Sequence, residues 1–482
     1  MSKKIWRGFH LSQLDTPSHL HYTGIIMALK KPWLLLIVTA LVSILAACTP
    51  PTPPPSPTPW PSDTPIPVAV ETRPPTQAPP TATNTAVIQP TATATPTRAP
   101  LLPTEAPSAT TITVWVPLPQ AQLQQLTEDI VDFQARFPQY VVEVEQYADP
   151  QAFMRPLMSG ESKFDVVLAS PVLLSSLWAA EKIAPMSNFF PPSFIDSFSA
   201  ATLQGALKNG ELWALPETSG FHLLLFYNKE LVDTPPTNTA DMAEMAQNLT
   251  NNSQWGLGLN SFDPLWVLPW LVPQSSRLID ENGYPTLNTP AMVNALTLFQ
   301  EWHQEPTQIA PKATYEEAQT KFLAGDIAMM INGDWAIGEL TNARDIEWGV
   351  APLPAVGSAE ENQPAVPLVL SKYWAVSNTA TEERALAAST FLEFITRPER
   401  QQIWAAKFNQ LPTRRQALND PLIVNDPIRR ISATQMQAGR PIPLGLNANL
   451  LLDAMREPLQ NLVNGKLTPQ EAAEQMQANL EE

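Results

Sequence analysis

Cysteine is almost absent from this chain of 482 residues, which contains only Cys48. One cysteine cannot form an intramolecular disulfide. Histidine is also scarce, since only His222 and His303 follow residue 110. Two histidines far apart in the sequence, without cysteine, do not make the usual ligand set of a zinc site. We therefore expect neither a metal nor a cofactor in the folded part of the chain.

The glycine patterns of several enzyme classes are missing as well. No two glycines lie four residues apart around a serine, as the nucleophile elbow of a serine hydrolase requires. Gly256 and Gly258 are followed by Ser261 rather than by the third glycine of a dinucleotide fingerprint. A glycoside hydrolase stays open as an alternative, because it needs only two carboxylates about 5–10 Å apart. The main expectation is a protein without enzymatic activity.

The charge of the chain is strongly negative, at −17. Residues 1–48 carry five basic residues against Asp15, so the remainder is more acidic than the whole chain. An acidic body is repelled by nucleic acid and by anionic membrane surfaces. We expect no nucleic-acid partner.

A secretory signal precedes Cys48. Lys30 and Lys31 lead into the uncharged apolar run 33–47, which ends in Leu-Ala-Ala. This run is shorter than the ~20 residues that span a bilayer, and its flanks are typical of a cleaved signal. The last four residues resemble the lipobox of bacterial lipoproteins, which implies a signal at 27–47 and a lipid on Cys48. We interpret residues 1–26 as a spurious or disordered extension.

A proline-rich segment follows the cysteine. Nineteen of the chain's 52 prolines lie between residues 50 and 107, among threonine, alanine and serine. Such a composition cannot bury enough apolar surface to offset its ordering entropy. We expect residues 48–110 to form a disordered, extended stalk that holds the folded domain away from the membrane.

Residues 111–482 have the patterns of an α/β domain. Apolar strands are predicted at 112–116, 141–144 and 164–168, and a helix with one apolar face at 122–137. This order predicts a parallel sheet that binds ligand at the carboxyl ends of its strands, next to Ser170. About 370 residues exceed one usual core, which predicts two lobes.

Several short sequences in this body carry a family resemblance. They are Leu-Trp-Ala-Leu-Pro at 212–216, Phe-Tyr-Asn-Lys at 226–229, the segment 322–335 with Asn-Gly-Asp-Trp, Trp-Gly-Val-Ala-Pro-Leu-Pro at 348–354, Leu-Pro-Thr-Arg at 411–414 and Gly-Lys-Leu-Thr-Pro-Gln-Glu-Ala at 465–472. In this order and spacing the chain resembles the extracellular solute-binding proteins of bacterial ABC importers, in the carbohydrate-binding group that includes maltose-binding protein.

The resemblance implies a two-lobe α/β fold of the periplasmic-binding-protein type, class II. A hinge of several segments would join the lobes, with crossings near 219–224, 369–374 and 413–419. Lobe 1 would comprise about 111–219 and 374–413, and lobe 2 about 224–369 and 420–482. The implied protein is a monomer, anchored by lipid on the extracellular face of the cell membrane, which delivers a carbohydrate to an ABC permease.

A sugar site needs flat aromatic rings for the C–H faces and planar polar groups for the hydroxyls. Trp335 matches the family position for a stacking aromatic, and Asp334 beside it is a hydroxyl acceptor. Trp266 and Trp270 match a segment that lines the cleft, and one of them is expected to be structural. Trp374 lies on a predicted hinge strand and is a weaker candidate.

The first predicted crossing contains two further candidates, Glu217 and Phe221. Maltose-binding protein has a ligand-binding glutamate here, but counting back from Tyr227 puts Phe221 at that position. Glu217 is then either a substitute ligand or a solvated loop carboxylate, and His222 is expected to be structural. The predicted helix at 449–462 lacks the tryptophan of maltose-binding protein, which puts maltose itself in doubt.

The ligand class therefore has alternatives. A polyamine or a glycerol phosphate binds to related folds, and the same body could serve as a ligand sensor that reports to a membrane receptor. A glycoside hydrolase would leave the short sequences that carry the family resemblance without an explanation.

Overall fold

The structure is a computed structural model and describes residues 109–161, 163–273, 276–280, 284–305, 308–360 and 362–481. Cys48, the predicted signal and residues 48–108 of the predicted stalk lie outside these residues, whereas Thr110, the last residue of that stalk, begins the first strand. Their assignments stay predictions.

Short strands and longer helices alternate through the described chain. The strands are β1 (Thr110–Val116), β2 (Tyr140–Gln146), β3 (Val166–Ala169), β4 (Leu207–Lys208), β5 (Glu211–Leu212), β6 (Leu215–Gly220), β7 (Leu223–Asn228), β8 (Trp255–Gly258), β9 (Ile327–Gly333), β10 (Trp348–Ala351), β11 (Val356–Gly357), β12 (Asn362–Gln363), β13 (Leu368–Val376) and β14 (Arg440–Pro441). The three strands expected at the start of the body are confirmed as β1, β2 and β3.

The helices are α1 (Gln120–Arg136), α2 (Pro150–Ser159), α3 (Pro171–Ala179), α4 (Pro192–Ile195), α5 (Ala200–Leu203), α6 (Thr239–Leu249), α7 (Pro290–His303), α8 (Tyr315–Leu323), α9 (Ile337–Asn342), α10 (Glu382–Ile395), α11 (Pro398–Phe408), α12 (Arg415–Leu418), α13 (Pro421–Val424), α14 (Pro427–Ala438), α15 (Ala448–Val463) and α16 (Pro469–Glu481). Capping side chains set several of their starts. Asn238, for example, accepts the Asp241 N–H at 2.9 Å ahead of α6.

The first sheet has the strand order β14-β13-β3-β1-β2, with β6 paired to β13. Strand β1 lies parallel to both β2 and β3, as the β-α-β-α-β pattern predicts. Strand β13 joins antiparallel to β3 and to β6, so the sheet is mixed. Strand β13, which pairs beside β3 in this sheet, therefore lies about 200 residues further along the chain than β3.

The second sheet has the order β10-β7-β9-β8. Strand β9 runs antiparallel to β7 and parallel to β8. The seven residues of β9 are all buried, as expected for a strand covered on both faces.

Each sheet has its own hydrophobic core. The core around the first sheet is built from residues 112–215 and 373–404, with Leu444. The cores around the second sheet use residues 223–368 and 442–476. We call the first unit lobe 1 and the second lobe 2.

Three chain segments meet between the lobes. Ser219 at the end of β6 pairs with Ser371 of β13 and with Leu411. Gln401 of α11 donates from Nε2 to the Glu217 carbonyl at 3.1 Å and accepts the Thr413 N–H at 3.0 Å. These contacts tie the segments together on the side of lobe 1.

A buried ion cluster fixes this side of the hinge. The Arg400 guanidinium bonds to Asp129 of α1 at 2.8 Å and to Glu217 of β6. Indole N–H groups donate to the same two carboxylates: Trp404 to Asp129 Oδ2, which Arg400 also contacts, at 3.0 Å, and Trp374 to the second oxygen of Glu217 at 2.6 Å. One cation therefore bridges two carboxylates that lie in the core of lobe 1.

Replacement of this cation tests how strongly the cluster holds lobe 1 together. Arg400→Met should lower the free energy of unfolding by about 3–5 kcal/mol, because two buried carboxylates lose their counter-charge. The measurement is urea unfolding. The matched control is Arg344→Met at an exposed arginine, which should change little. Addition of Glu217→Gln to Arg400→Met should restore part of the loss, and an additive further loss would contradict this account.

Candidate functional site

The first crossing between the lobes is the segment 220–222, which joins β6 to β7; we call it the crossing segment. Phe221 at its centre has φ of +51°, in the left-handed region. A residue with a Cβ carries a cost of roughly 1–2 kcal/mol there. Backbone strain of this kind persists only where the surroundings impose it, and it concentrates at functional sites.

The end of β9 lies beside the crossing segment. Leu223 pairs with Gly333, and the Asp334 N–H donates to the His222 carbonyl at 3.0 Å. The chain then turns through a short 3-10 helix, Asp334–Ala336. Gly333 itself has an ordinary φ of −84°, so this turn does not use the left-handed region. Its lack of a side chain matters because the Trp335 ring occupies the place of a Cβ.

Trp335 is half-buried within a group of aromatic side chains. Its indole N–H donates to the Tyr315 hydroxyl at 3.1 Å. The Trp266 ring packs edge-on against it, with centroids 6.2 Å apart. The Phe221 ring lies at 6.1 Å and is inclined by 31°, with 44% of Phe221 exposed. We call Phe221 and Trp335 the aromatic pair, since together they present ring surface to solvent at the hinge.

Asp334 lies beneath this pair with its side chain 14% exposed. Burial raises the pKa of Asp334 to about 7, although the backbone N–H groups of Phe221, His222 and Trp335 favour the ionised form. The carboxyl group is therefore engaged mainly with the crossing segment.

His222 connects Asp334 to lobe-2 helix α14. Its Nδ1 lies 3.5 Å from Asp334 Oδ2, and its Nε2 lies 3.2 Å from the Ser432 hydroxyl. Burial lowers the pKa of His222 to about 3, so the imidazole is neutral at pH 7. The expectation of a structural, hydrogen-bonded histidine agrees with this environment.

The structure places Trp266 and Trp270 in the core of lobe 2, at 3% and 1% exposure. The Trp266 N–H donates to the Ile331 carbonyl at 2.8 Å, and the Trp270 N–H to the Trp266 carbonyl at 2.7 Å. Neither indole presents a free face or donor in this conformation. Trp266 supports Trp335 from behind, which is a different position from the cleft surface expected from sequence.

Glu217 and Trp374 are likewise internal. Glu217 is neither a solvated loop carboxylate nor open to a ligand, because it is buried in β6 and its two carboxylate oxygens bind Arg400 and Trp374. Trp374 is fully buried and packs edge-on against Phe391. Both side chains satisfy their polar atoms within lobe 1, so the structure gives them a role in the hinge support.

Ser170 follows the carboxyl end of β3 and caps α3. Its hydroxyl accepts the Leu173 N–H at 3.3 Å, and the residue is half-buried. No contact brings it to the aromatic pair within the described chain. Its position at the strand end agrees with the edge predicted from the β-α-β order, and a ligand contact there stays a prediction.

Sequence reasoning missed three residues of this site. Tyr315 holds the Trp335 indole, Gly220 makes room for Asp334, and Ser432 binds His222. Only Tyr315 had a local signal, since it follows Thr314 in a capping box with Glu317. That signal marks the start of α8 and says nothing about its contact with Trp335.

In the described part of the chain, no group of three or more His, Cys, Asp or Glu side chains could hold a metal ion. Over the same residues, no helix combines the length and the apolar character needed to cross a bilayer.

The fold and the hinge site define a two-lobe binding protein, and sequence comparison identifies its family. The model described as bacterial extracellular solute-binding protein matches residues 130–431. The chain belongs to this family, as the resemblance predicted.

Named relatives share about two thirds of their own length with this chain. The maltotriose-binding protein of Pyrococcus abyssi is 24% identical over 330 residues, which cover 66% of this chain and 69% of the relative. A maltooligosaccharide solute-binding lipoprotein of Streptococcus pneumoniae is 21% identical, covering 55% and 64%. A sn-glycerol-3-phosphate-binding periplasmic protein of Escherichia coli is 22% identical, covering 62% and 74%.

Solved structures show the same fold. The maltose/maltodextrin-binding domain of Bdellovibrio bacteriovorus bound to maltotriose has a TM-score of 0.62 at 26% identity, covering 77% of this chain and 99% of that domain. A cyclo/maltodextrin-binding protein in complex with maltotetraose has a TM-score of 0.69 at 20% identity, covering 78% and 98%. The predicted two-lobe periplasmic-binding-protein fold is confirmed.

The left-handed backbone at Phe221 has a measurable consequence. Phe221→Gly and Phe221→Ala both remove the ring, but only glycine adopts this φ without strain. We expect the glycine variant to be more stable than the alanine variant by about 1 kcal/mol in urea unfolding. At exposed Leu386 within α10 the same two substitutions should rank in the opposite order, by helix propensity. If the glycine and alanine variants rank in the same order of stability at both sites, backbone strain at Phe221 is contradicted.

The pKa shifts of His222 and Asp334 predict opposite pH effects on stability. His222 binds a proton more weakly in the folded state, so its contribution is present above pH 6.5 and is lost as the pH falls toward 3. Asp334 binds a proton more tightly when folded, so its contribution is present below about pH 4 and is lost as the pH rises through about 7.

Unfolding free energies between pH 7 and 4 check these signs. Relative to the wild type, His222→Gln should lose less stability on acidification and Asp334→Asn should lose more. The slope of each difference is bounded by about 1.4 kcal/mol per pH unit. Curves for the variants that run parallel to the wild type would show that neither group titrates as described.

Proposed function

We propose that this protein is the substrate-binding component of an ABC importer and that it captures a sugar or an oligosaccharide between its lobes. The observation that carries the proposal is the aromatic pair, which offers ring surface at the crossing between the two lobes. Aromatic faces bind the apolar C–H faces of sugars. Contact with this pair would place the ligand where the lobes join, so that closure follows binding.

The relatives support the ligand class. Two of them are named for maltotriose and maltooligosaccharides, and two solved structures with this fold hold maltotriose and maltotetraose. The identities of 20–26% do not carry the particular sugar over to this chain. We therefore propose an oligosaccharide ligand without naming its linkage.

The charge beside the aromatic pair distinguishes this proposal from the glycerol phosphate alternative. A phosphate ligand needs cationic or N–H donors at its oxygens. In the described chain, the crossing segment contains His222, which is neutral at pH 7, and contacts the Asp334 carboxyl group. This local chemistry favours a neutral, hydroxyl-rich ligand over an anion.

The remaining parts of the proposal concern location and activity. The lipobox at Cys48 and the stalk would hold the binding domain on the extracellular face of the membrane, and an ABC permease would receive the sugar. The protein would bind its ligand without converting it. A sensor that reports to a membrane receptor would use the same site and differ only in its partner.

Thermal unfolding against a ligand panel tests the function. Residues 109–482 would be mixed with mono- and oligosaccharides, and with glycerol phosphate and a polyamine as controls. A ligand at 100 times its dissociation constant should stabilise the fold by about 2.7 kcal/mol. A shift with a control compound alone would overturn the sugar proposal, and consumption of the sugar would indicate a hydrolase.

Trp335→Ala should weaken sugar binding by at least tenfold, because an aromatic anchor in a binding site contributes about 2 kcal/mol or more. The matched control is Trp255→Ala, a half-buried tryptophan at the opposite end of the same sheet, where Trp255 pairs with Ile327. Calorimetric titration measures both affinities. Unchanged affinity in the Trp335 variant would remove this residue from the site.

A further inference from the structure

We propose that Asp334 is a positioning residue that fastens the crossing segment to lobe 2, rather than a hydroxyl acceptor for the ligand. The proposal rests on the function above, because it assigns a part of that site. Its consequence is that Phe221 and Trp335 move as one body with the end of β9.

The hydrogen-bonding capacity of the carboxylate is the first argument. An ionised carboxylate offers about four lone-pair positions. The Asp334 side chain is 14% exposed, and its Oδ2 lies 3.5 Å from His222 Nδ1. The backbone N–H groups of Phe221, His222 and Trp335 and its own N–H favour its ionised form. A sugar hydroxyl would have to compete with these groups for the carboxylate oxygens.

The second argument is the fit between Asp334 and the crossing segment. A Cβ placed on Gly220 would lie 2.5 Å from Asp334 Oδ2, so the carboxylate rests directly on the glycine backbone. In the other direction, the Asp334 N–H donates to the His222 carbonyl at 3.0 Å. The two segments therefore hold each other from both sides.

The third argument concerns strain. The left-handed conformation of Phe221 is unfavourable by itself, and its backbone N–H favours the ionised form of the Asp334 carboxyl group. Bonds from N–H groups to a carboxylate are roughly twice as strong as bonds between neutral groups. Asp334 thereby offsets the strain and keeps the Phe221 ring beside Trp335.

The location of hinge bending follows from this arrangement. Gln401 and Arg400 hold Glu217 to lobe 1, and Asp334 holds Phe221 to lobe 2. Between the two anchors, residues 218–220 pair with residues 370–372 of β13, and Ser219 also pairs with Leu411, so bending here moves these paired segments together. A ligand stacked on the aromatic pair is therefore attached to lobe 2, and the connection to lobe 1 passes through residues 218–220.

We call the contact between Asp334 and the crossing segment the latch. A double-mutant cycle tests this contact without any ligand. At pH 8, where Asp334 is ionised in most molecules, Gly220→Ala should lower the unfolding midpoint by roughly 2–4 °C, because the new methyl group meets Oδ2. In the background of Asp334→Ala the same substitution should have no effect or should stabilise. Gly338→Ala is the control, since a Cβ there meets nothing within 4 Å. Equal destabilisation in both backgrounds would overturn the contact.

Binding of deoxygenated sugars separates a latch from a ligand contact. Asp334→Asn should weaken every member of a monodeoxy series of the bound sugar by the same factor, about tenfold, because the aromatic pair is misplaced for all of them. If Asp334 accepts one hydroxyl, the sugar lacking that hydroxyl should be insensitive to the substitution, and the proposal fails. Asp345→Asn, at an exposed carboxylate of lobe 2, should leave all affinities unchanged.

The failure of the proposed function has a different signature. In that case no sugar of the panel binds to the wild type. The Gly220 and Asp334 cycle then still reports whether the latch exists.

Discussion

Three segments of this chain pass side by side between two separately packed cores, and each buried backbone group in them needs a partner. Regular sheet pairing cannot continue across the junction, since β6 belongs to one sheet and β7 to the other. Side chains supply the missing partners: Gln401 on the lobe-1 side and Asp334 on the lobe-2 side. The positions of the aromatic pair, of the buried ion cluster and of the bending point all depend on this requirement.

The buried charges of the two lobes have different functions. In lobe 1, Arg400 bridges Asp129 and Glu217 and is covered by tryptophan, so the cluster is closed to ligand. In lobe 2, backbone N–H groups favour the ionised form of Asp334, and a neutral histidine lies beside it. The first arrangement stabilises a core, whereas the second keeps a partly exposed segment in a strained conformation. This contrast explains why Glu217, although close to Phe221 in sequence, is remote from the binding surface.

The aromatic side chains divide in the same way. Trp266, Trp270 and Trp374 donate their N–H groups to internal acceptors and pack in cores. Trp335 donates to Tyr315 and remains half-exposed beside Phe221. A binding site for neutral sugars needs few such exposed rings, provided that a firm support lies behind them. Here Trp266 is that support, which gives a family motif segment a structural use.

The sequence by itself determined the local elements and the family. Apolar periodicity placed β1 and α1, because these depend on neighbours within a few positions. The short motif at 332–335 marked the end of β9 and the tryptophan that follows this strand. Only the tertiary structure decided which candidates reach solvent. Glu217 meets Arg400 across 183 positions, and Trp374 meets Glu217 across 157. Burial and pairing at such separations depend on how the two sheets pack together, and no local pattern records that packing.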